Sequence, residues 1–392
     1  MAGLYIHIPF CKSRCSYCGF YSTTHAELRQ QYVDALCKEL TFLTSHLSPL
    51  TSLYLGGGTP SQLTIAQLEQ LFLYINKVYP LSSIQGESEI TIECNPDDVT
   101  EEYAAALSQL PVNRVSMGAQ TFDDQRLRFL NRRHTASQVP QAVERLRQAG
   151  IRNISIDLMY GFPDETLEQW EHDINTALSL DVEHLSAYCL MLEEGTPLYE
   201  QMMKEKTLSN SPCLGGELKS SLDREDLGGS EELERQMYER LIDKLSEAGY
   251  EHYEISNFAK PGFRSRHNSS YWNDVPYIGL GAAAHSYDGH CRSWNVADLK
   301  EYLRRVENGL SPVEDSELIE GWTRYNDRIT VALRTREGLD LTTLTDEHHD
   351  YCMKNARRFL NNGLLILSDH HLALTRRGIF VSDMVMSELM KV

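Results

Sequence analysis

Tyr5-Ile6-His7-Ile8-Pro9-Phe10-Cys11-Lys12-Ser13-Arg14-Cys15-Ser16-Tyr17-Cys18 is the stretch on which the reading of this chain turns. A short apolar run, Leu4 to Ile8, reads as a buried strand, and a proline stops it. Cys11, Cys15 and Cys18 follow on a tight loop at C-x3-C-x2-C spacing. Three thiolates this close suit three irons of a [4Fe–4S] cube and leave the fourth iron without a protein ligand. Clusters used only for electron transfer have four cysteines. An open iron can bind a small molecule and reduce it. The same spacing also reads as a zinc site completed by His7 or His25, or as three unrelated buried cysteines.

The 392 residues are enough to bury a large core, and length allows two or three domains. Nine cysteines are scattered in no paired framework. No signal segment precedes the trio and no apolar run reaches membrane-spanning length, so a reducing cytoplasm is expected. A formal net charge of −19 argues against nucleic acid as a main partner, because Lys and Arg must neutralise phosphates for such binding.

Outward from the trio, strand and helix patterns alternate. Helical spacing over 26–45, 64–78, 100–109, 137–149 and 165–180 separates strand-like runs at 52–55, 88–94, 113–117, 154–158 and 184–190. Six strand–helix units with crossovers too long for hairpins predict parallel strands in a curved partial barrel over residues 1–202, a (β/α)6 array of TIM type in the α/β class. Residues 203–231 lose apolar periodicity and read as a flexible inserted surface connection. Residues 232–294 read as a barrel-completing helix, a strand and an aromatic, Gly-rich stretch. From 295 to 392 the pattern predicts a small helical domain like a winged helix, with a β-wing over 364–375 and a last helix over 377–390.

In a parallel barrel, functional residues sit on loops at the strands' C-terminal ends. The chemically suggestive residues fall there: the cysteines, Gly56-Gly57-Gly58-Thr59-Pro60, Glu93, Gln120, Arg132 and Asp157. Successive glycines let backbone N–H groups approach an amino-acid carboxylate or amine. Glu93 can accept from an ammonium, Arg132 can fork a carboxylate, and Gln120 and Asp157 can bond ribose hydroxyls. Each also reads, singly, as a cap or a surface ion pair.

Taken together these motifs resemble the radical-SAM superfamily, in the branch of oxygen-independent coproporphyrinogen III oxidases and their heme-chaperone relatives. The resemblance rests on Tyr5-x-His7-x-Pro9-Phe10-Cys11, the trio, Gly56 to Pro60, Glu93-x-Asn95-Pro96, Gly118-x-Gln120-Thr121-Phe122 and Asp157-Leu158-x-x-Gly161-x-Pro163. It implies a [4Fe–4S] cluster on Cys11, Cys15 and Cys18 that chelates S-adenosylmethionine (SAM). It also implies SAM contacts at Tyr5, Tyr17, Gly57, Gly58, Thr59, Glu93, Gln120, Arg132 and Asp157, and a loop from Gly279 to His285 that closes over SAM.

The oxidases of this branch carry a fourth cysteine two residues after the trio, where this chain has Phe20, and they have a longer lead before the first strand. Both departures point away from porphyrinogen decarboxylation. His267-Asn268-Ser269-Ser270-Tyr271-Trp272 matches the H-N-x-x-Y-W motif of the heme-chaperone relatives. Imidazole is a common axial ligand for heme, and the two aromatics offer flat apolar surface for a porphyrin. His267 is therefore the expected heme ligand, with His285 and His290 as alternatives, and Arg264 and Arg266 are candidates for the propionates. The resemblance implies a cytoplasmic protein that passes heme to acceptor hemoproteins, including respiratory enzymes reached peripherally at the membrane. Whether SAM is turned over stays open, as does the oxidase alternative; an RNA-modifying enzyme is disfavoured by the acidic charge.

Overall fold

Strand β1, Ala2–Ile8, sets the pattern for the fold. Leu4, Ile6 and Ile8 are fully buried under the helical layer. The alternate residues Tyr5 and His7 turn to the other face, where Tyr5 stacks on Tyr54 with ring centroids 6.2 Å apart. The computed structural model describes residues 2–42, 50–79, 88–209 and 231–392.

Parallel pairing continues through β2 Leu50–Gly57, β3 Glu89–Cys94, β4 Arg114–Gln120, β5 Asn153–Tyr160 and β6 His184–Cys189. This is the six-stranded parallel array expected from the alternation of strand and helix patterns. The intervening helices include Arg29–Phe42, Ile65–Val78, Gln138–Gln148 and Leu167–Ser179. Thr64 with Gln67, and Thr166 with Gln169, form reciprocal capping boxes that fix two of the helix starts. Trp170 is fully buried and its indole N–H donates to the Met237 carbonyl at 2.9 Å, tying in the helix Glu231–Glu247.

The sheet is larger than the six strands expected. On the β6 side it gains β7 Glu251–Glu254 and β8 Asn257–Ala259. On the β1 side it gains β9 Tyr277–Leu280, parallel to β1, and then β10 His285–Tyr287, β11 Cys291–Asn295 and β12 Val313–Leu318, all antiparallel. The order is β12-β11-β10-β9-β1-β2-β3-β4-β5-β6-β8-β7. The chain thus completes one edge and crosses to the other. β7 is the strand read after the helix in residues 232–294; β8 to β11, three to five residues long, carry little period and draw their pairing from the sheet already formed.

The crossing segment carries the helix Arg266–Trp272, which passes beneath the N-terminal ends of the strands. Its anchor is Glu89, the first residue of β3, buried at 6% exposure. The backbone N–H groups of Arg266 and His267 each donate to a Glu89 oxygen at 3.0 Å, and Arg114 lies 3.9 Å from the same carboxylate. A buried carboxylate here satisfies two helix N-terminal donors that would otherwise be orphaned.

Two boundaries differ from expectation. The unit expected to begin at 295 begins later. Val296, Leu299, Tyr302, Leu303 and Val306 join the barrel core, because the helix Leu299–Glu307 lays Tyr302 against Tyr32 with centroids 5.2 Å apart. A second core starts near Tyr325 and includes Ile329, Cys352, Phe359, Leu372 and Leu389, with a three-stranded sheet of β13 Leu339–Asp340, β14 Leu365–Ser368 and β15 His371–Leu374. The last helix is broken into Arg376–Ile379 and Ser382–Leu389, since its first piece packs on the barrel core and its second on the smaller one. Of the expected connection 203–231, residues 203–209 continue the helix Pro197–Ser209, and 210–230 lie outside the described residues.

Glu89→Ala is expected to destabilise the protein by about 3–5 kcal/mol, the cost of removing one partner from a buried charged network. Glu89→Gln, which keeps one acceptor, should lose less. Urea unfolding followed by tryptophan fluorescence measures both, and a wild-type midpoint for the alanine variant would refute the role of this cap.

Candidate functional site

The cysteine loop hangs from the end of β1. Pro9 ends the strand, and Phe10 bridges to Thr23, with the Cys11 N–H donating to the Thr23 carbonyl at 2.9 Å and the Thr23 N–H to the Pro9 carbonyl at 2.7 Å. Between these clamps the loop is held at several points. Ser16 N–H donates to the Leu130 carbonyl at 3.1 Å, Asn131 Nδ2 to the Arg14 carbonyl at 2.7 Å, and Leu198 N–H to the Ser16 carbonyl at 2.8 Å. Cys11, Cys15 and Cys18 are free and half-buried. All three line one cavity of about 190 Å³ together with Tyr17, Gly57, Gly58, Thr59, Glu93, Gln120, Arg132 and Asp157. Eleven of the thirteen expected site residues therefore meet in one place; Tyr5 and His267 do not.

The donor set fits a cluster held by three thiolates. A cube carries each thiolate on a different iron and spaces them more widely than one tetrahedral zinc does. No group of three or more His, Cys, Asp or Glu among the described residues is drawn together tightly enough for a single metal ion. The histidines of the zinc reading are committed elsewhere: His25 is exposed and pairs with Glu27, while His7 is buried between the Tyr5 hydroxyl and the Tyr21 carbonyl, 2.9 Å from each. Burial pushes the Cys11 and Cys18 thiols above their ordinary pKa, so a metal must draw off those protons.

The glycine loop does something other than expected. Its N–H groups are not free for a ligand. Gly57 N–H donates to Glu93 Oε2 at 3.1 Å, Gly58 N–H to the Ile8 carbonyl and Thr59 N–H to the Phe10 carbonyl, both at 2.9 Å. A Cβ on Gly58 would lie 2.7 Å from the Ile8 oxygen and the Pro9 carbonyl carbon, which are backbone atoms with no room to move. The glycines exist here for close packing of β2 against the root of the cysteine loop. Thr59 also places its hydroxyl 3.4 Å from Cys11 Sγ.

Across the mouth, four polar side chains converge. Gln120 takes a left-handed backbone, φ 68°, just after a register shift between Gly118 and Gln120 that re-aims the end of β4. Arg132 is the central cation. It donates to the Asn95 side-chain oxygen and to the Gly118 carbonyl, and its Nη1 lies 3.5 Å from Cys15 Sγ. Its buried Nε has no hydrogen-bond partner among the described residues. Glu93 accepts from the Tyr54 hydroxyl at 2.7 Å. Burial raises its pKa to about 7 against the help of Tyr54, and Asp157 adds repulsion. Burial likewise raises Asp157 to about 6, opposed by Ser186 and by the Arg114 and Arg132 charges. Two carboxylates this reluctant to ionise create a site that favours an incoming cation.

Tyr5 and His267 lie deeper. Tyr5 faces the barrel interior and lines a neighbouring cavity. His267 is buried at 2% exposure near the strands' N-terminal ends. Its Nδ1 is 2.9 Å from Ser52 Oγ and its Nε2 2.9 Å from the Tyr271 hydroxyl, and its ring stacks on Tyr54 at 5.0 Å. Both ring nitrogens are occupied. Arg264 is held by Glu251 and Glu337. The turn after Gly279 is held by Glu39, which accepts from the Gly281 N–H at 3.0 Å, and Ala283 and His285 line the cavity beside Tyr5, not the cysteine cavity. Residue reading missed Asn95 as the support of Arg132 and Phe20 as a wall shared by two cavities; the Glu-x-Asn-Pro motif held the signal for the first.

The profile of the Radical SAM superfamily matches residues 5–177, and that of the HemN C-terminal domain matches 319–381. The heme chaperone HemW of Bacillus subtilis (strain 168) is 37% identical over 351 residues, 89% of this chain and 87% of that protein. HemW of Lactococcus lactis subsp. lactis (strain IL1403) is 34% identical over 86% of this chain and 82% of its own length. Coproporphyrinogen III oxidase from Escherichia coli, a radical SAM enzyme, superimposes with a TM-score of 0.80 over all of this chain and 90% of its own at 21% identity, a likeness of fold. At 37% identity over 87% of such a relative's length, the chain belongs to the HemW family of the radical-SAM superfamily.

Proposed function

We propose that this protein is a heme chaperone that binds a [4Fe–4S] cluster and SAM at the barrel mouth and hands heme to acceptor hemoproteins. The observation that carries the cluster and SAM part is the single cavity shared by three free cysteines and the polar residues Glu93, Gln120, Arg132 and Asp157. When bound, a cluster with one open iron supplies a chelation point and an electron source for SAM.

The chain's own residues do the rest. Cys11, Cys15 and Cys18 hold the irons. Arg132 sets its guanidinium beside Cys15, where it offsets thiolate charge at the wall of the cavity. Glu93 and Asp157 attract the ammonium and sulfonium charges, and Gln120 points its amide at the mouth from a strained backbone. The heme part is supported by the names of the relatives and by the H-N-x-x-Y-W motif. Phe20, where the oxidases carry a cysteine, disfavours porphyrinogen oxidation. Respiratory enzymes at the membrane are the proposed acceptors, reached peripherally; no helix among the described residues is long and apolar enough to cross a bilayer.

Replacing Cys11, Cys15 and Cys18 by Ala should abolish the brown chromophore after anaerobic reconstitution; a four-iron cluster in that variant would overturn the ligand assignment. Arg132→Ala or Asp157→Ala should weaken SAM binding by about 1.5–3 kcal/mol, roughly ten- to hundredfold, the worth of a charge-assisted hydrogen bond. SAM affinity in the wild type should rise from pH 5 to 8. The carboxyls at about 6 and about 7 are protonated and neutral below that window, and ionised and attractive to a cation above it. Isothermal titration across this range measures the trend, and a flat profile would exclude the two carboxylates from SAM binding. Titration with heme and with coproporphyrinogen III decides the function: stable heme without a vinyl product is expected, and a vinyl product would establish the oxidase.

A further inference from the structure

The helix Leu167–Ser179 turns Trp170, Asp173, Ile174 and Ala177 toward the interior, spaced as one buried stripe. Three of the four are apolar, as a core stripe requires. The fourth is a carboxylate only 1% exposed. Burial pushes its carboxyl above the usual range, so the fold bears a desolvation cost that an apolar residue would not incur. That carboxylate serves two consecutive residues. Its Oδ2 accepts from the Thr121 hydroxyl at 2.6 Å and its Oδ1 from the Phe122 N–H at 3.0 Å. Both directly follow Gln120.

Gln120 is the residue whose placement needs such support. Its φ of 68° is left-handed, and the Thr121 N–H closes a three-residue turn around it by donating to the Ala119 carbonyl at 2.9 Å. Turns of this hand are rare and strained for a residue with a side chain. The same carbonyl accepts from Nε2 of the buried His134 at 3.1 Å, so the turn is gripped on both flanks. The side chain of Gln120 makes no hydrogen bond among the described residues. It folds back over Gly118, where a Cβ would stand 2.6 Å from Gln120 Nε2 and 3.0 Å from Arg132 Nη2. The direction of its amide is therefore decided by its backbone and by the missing Cβ of Gly118.

A second buried carboxylate braces the neighbouring turn. Glu165 accepts from the N–H groups of Gly161 and Phe162, just after β5, at 2.7 and 3.1 Å. Arg126 pairs with Glu165 at 2.9 Å, and its charge also acts on Asp173. Arg126 belongs to the helix Asp124–Phe129, beyond whose end the Leu130 carbonyl receives the Ser16 N–H of the cysteine loop. The turns after β4 and β5 thus share one charged support behind the mouth.

We propose that Asp173 is a positioning residue for SAM, holding the strained turn that aims Gln120 into the cysteine cavity. The inference rests on the SAM reading above and extends it to a residue that does not line the cavity. Without the two bonds from Thr121 and Phe122, the turn is free to relax to an unstrained backbone, and the amide swings off Gly118. The stability given up by burying Asp173 is returned as a ligand group fixed in place before the ligand arrives.

The test is equilibrium dialysis of SAM against the cluster-loaded protein under anaerobic conditions. Asp173→Ala should weaken SAM binding about tenfold, with cluster iron content unchanged. Asp173→Asn can still accept from the Phe122 N–H and meet the Thr121 hydroxyl, and should stay close to wild type. Gln120→Ala should weaken SAM binding, and adding Asp173→Ala to it should cost nothing more, because the clamp acts through Gln120. Thr121→Val removes one clamp bond while keeping the carboxylate and the side chain's shape, and should show the same dependence on Gln120. Wild-type SAM affinity in Asp173→Ala or in Gln120→Ala overturns the inference. So does an equal further loss when Asp173→Ala or Thr121→Val is added to Gln120→Ala, which is what a general structural role gives. A loss in Asp173→Asn as large as in Asp173→Ala overturns the hydrogen-bonded clamp. Wild-type protein that binds no SAM overturns the SAM reading of the cavity, and this inference with it.

Discussion

Two backbone hydrogen bonds carry the architecture of the barrel mouth. Gly58 N–H to the Ile8 carbonyl and Thr59 N–H to the Phe10 carbonyl stitch the loop after β2 onto the root of the cysteine loop. They form only because Gly58 has no Cβ, which would stand 2.7 Å from the Ile8 oxygen. With that seam closed, Thr59 reaches Cys11, Gly57 reaches Glu93, and Glu93 faces the same cavity as the cysteines. A seam of main-chain bonds costs little entropy to maintain once the strands have paired, so the cysteine loop inherits the rigidity of the sheet.

Electrostatics at the mouth is unbalanced in a directed way. Glu93 and Asp157 are desolvated and repel each other, and Arg132, a buried cation lining the same cavity, is engaged by Asn95, Gly118 and Cys15. A site arranged like this gives up some stability of the protein alone. It regains that when a ligand with positive charge near the carboxylates and a carboxylate near the guanidinium enters. An amino-acid sulfonium compound has that distribution.

The two ends of the barrel serve different needs. At the bottom, Glu89 ties the segment that crosses from one sheet edge to the other, and His267 fills the interior against Ser52, Tyr54 and Tyr271. At the top and side, the cysteine loop carries Phe20 and strand β10 carries His285 at the surface. The second core is fastened to the sheet through Glu254, which accepts from Arg334 at 2.8 Å, and through Asp274, which binds Arg324 and Arg328. The cavity lined by His285, Asp274 and Arg324 therefore lies at the junction of the two cores.

The chain's local patterns were sufficient for the parallel array, the cysteine trio and most of the mouth. Their signals are short-range: alternating apolar residues, capping threonines, glycines where a loop must turn, and polar residues at strand ends, where only one side of the fold is open. What the sequence could not display were contacts made by crossing chain. β8 to β11, three to five residues long, are too short to carry a period, and β12 buries none of its residues; all take their pairing from an edge already formed. The boundary expected at 295 fails because Tyr302 finds Tyr32 and Glu39, more than 260 residues away in sequence. The glycine N–H groups looked free because their acceptors lie on a different strand. His267 read as a heme ligand in an aromatic run, yet its ring and backbone are engaged by Ser52 and Glu89, 215 and 178 positions earlier. Motif spacing records which side chains must be near one another along the chain; only tertiary packing decides which of their donors and acceptors are already spent.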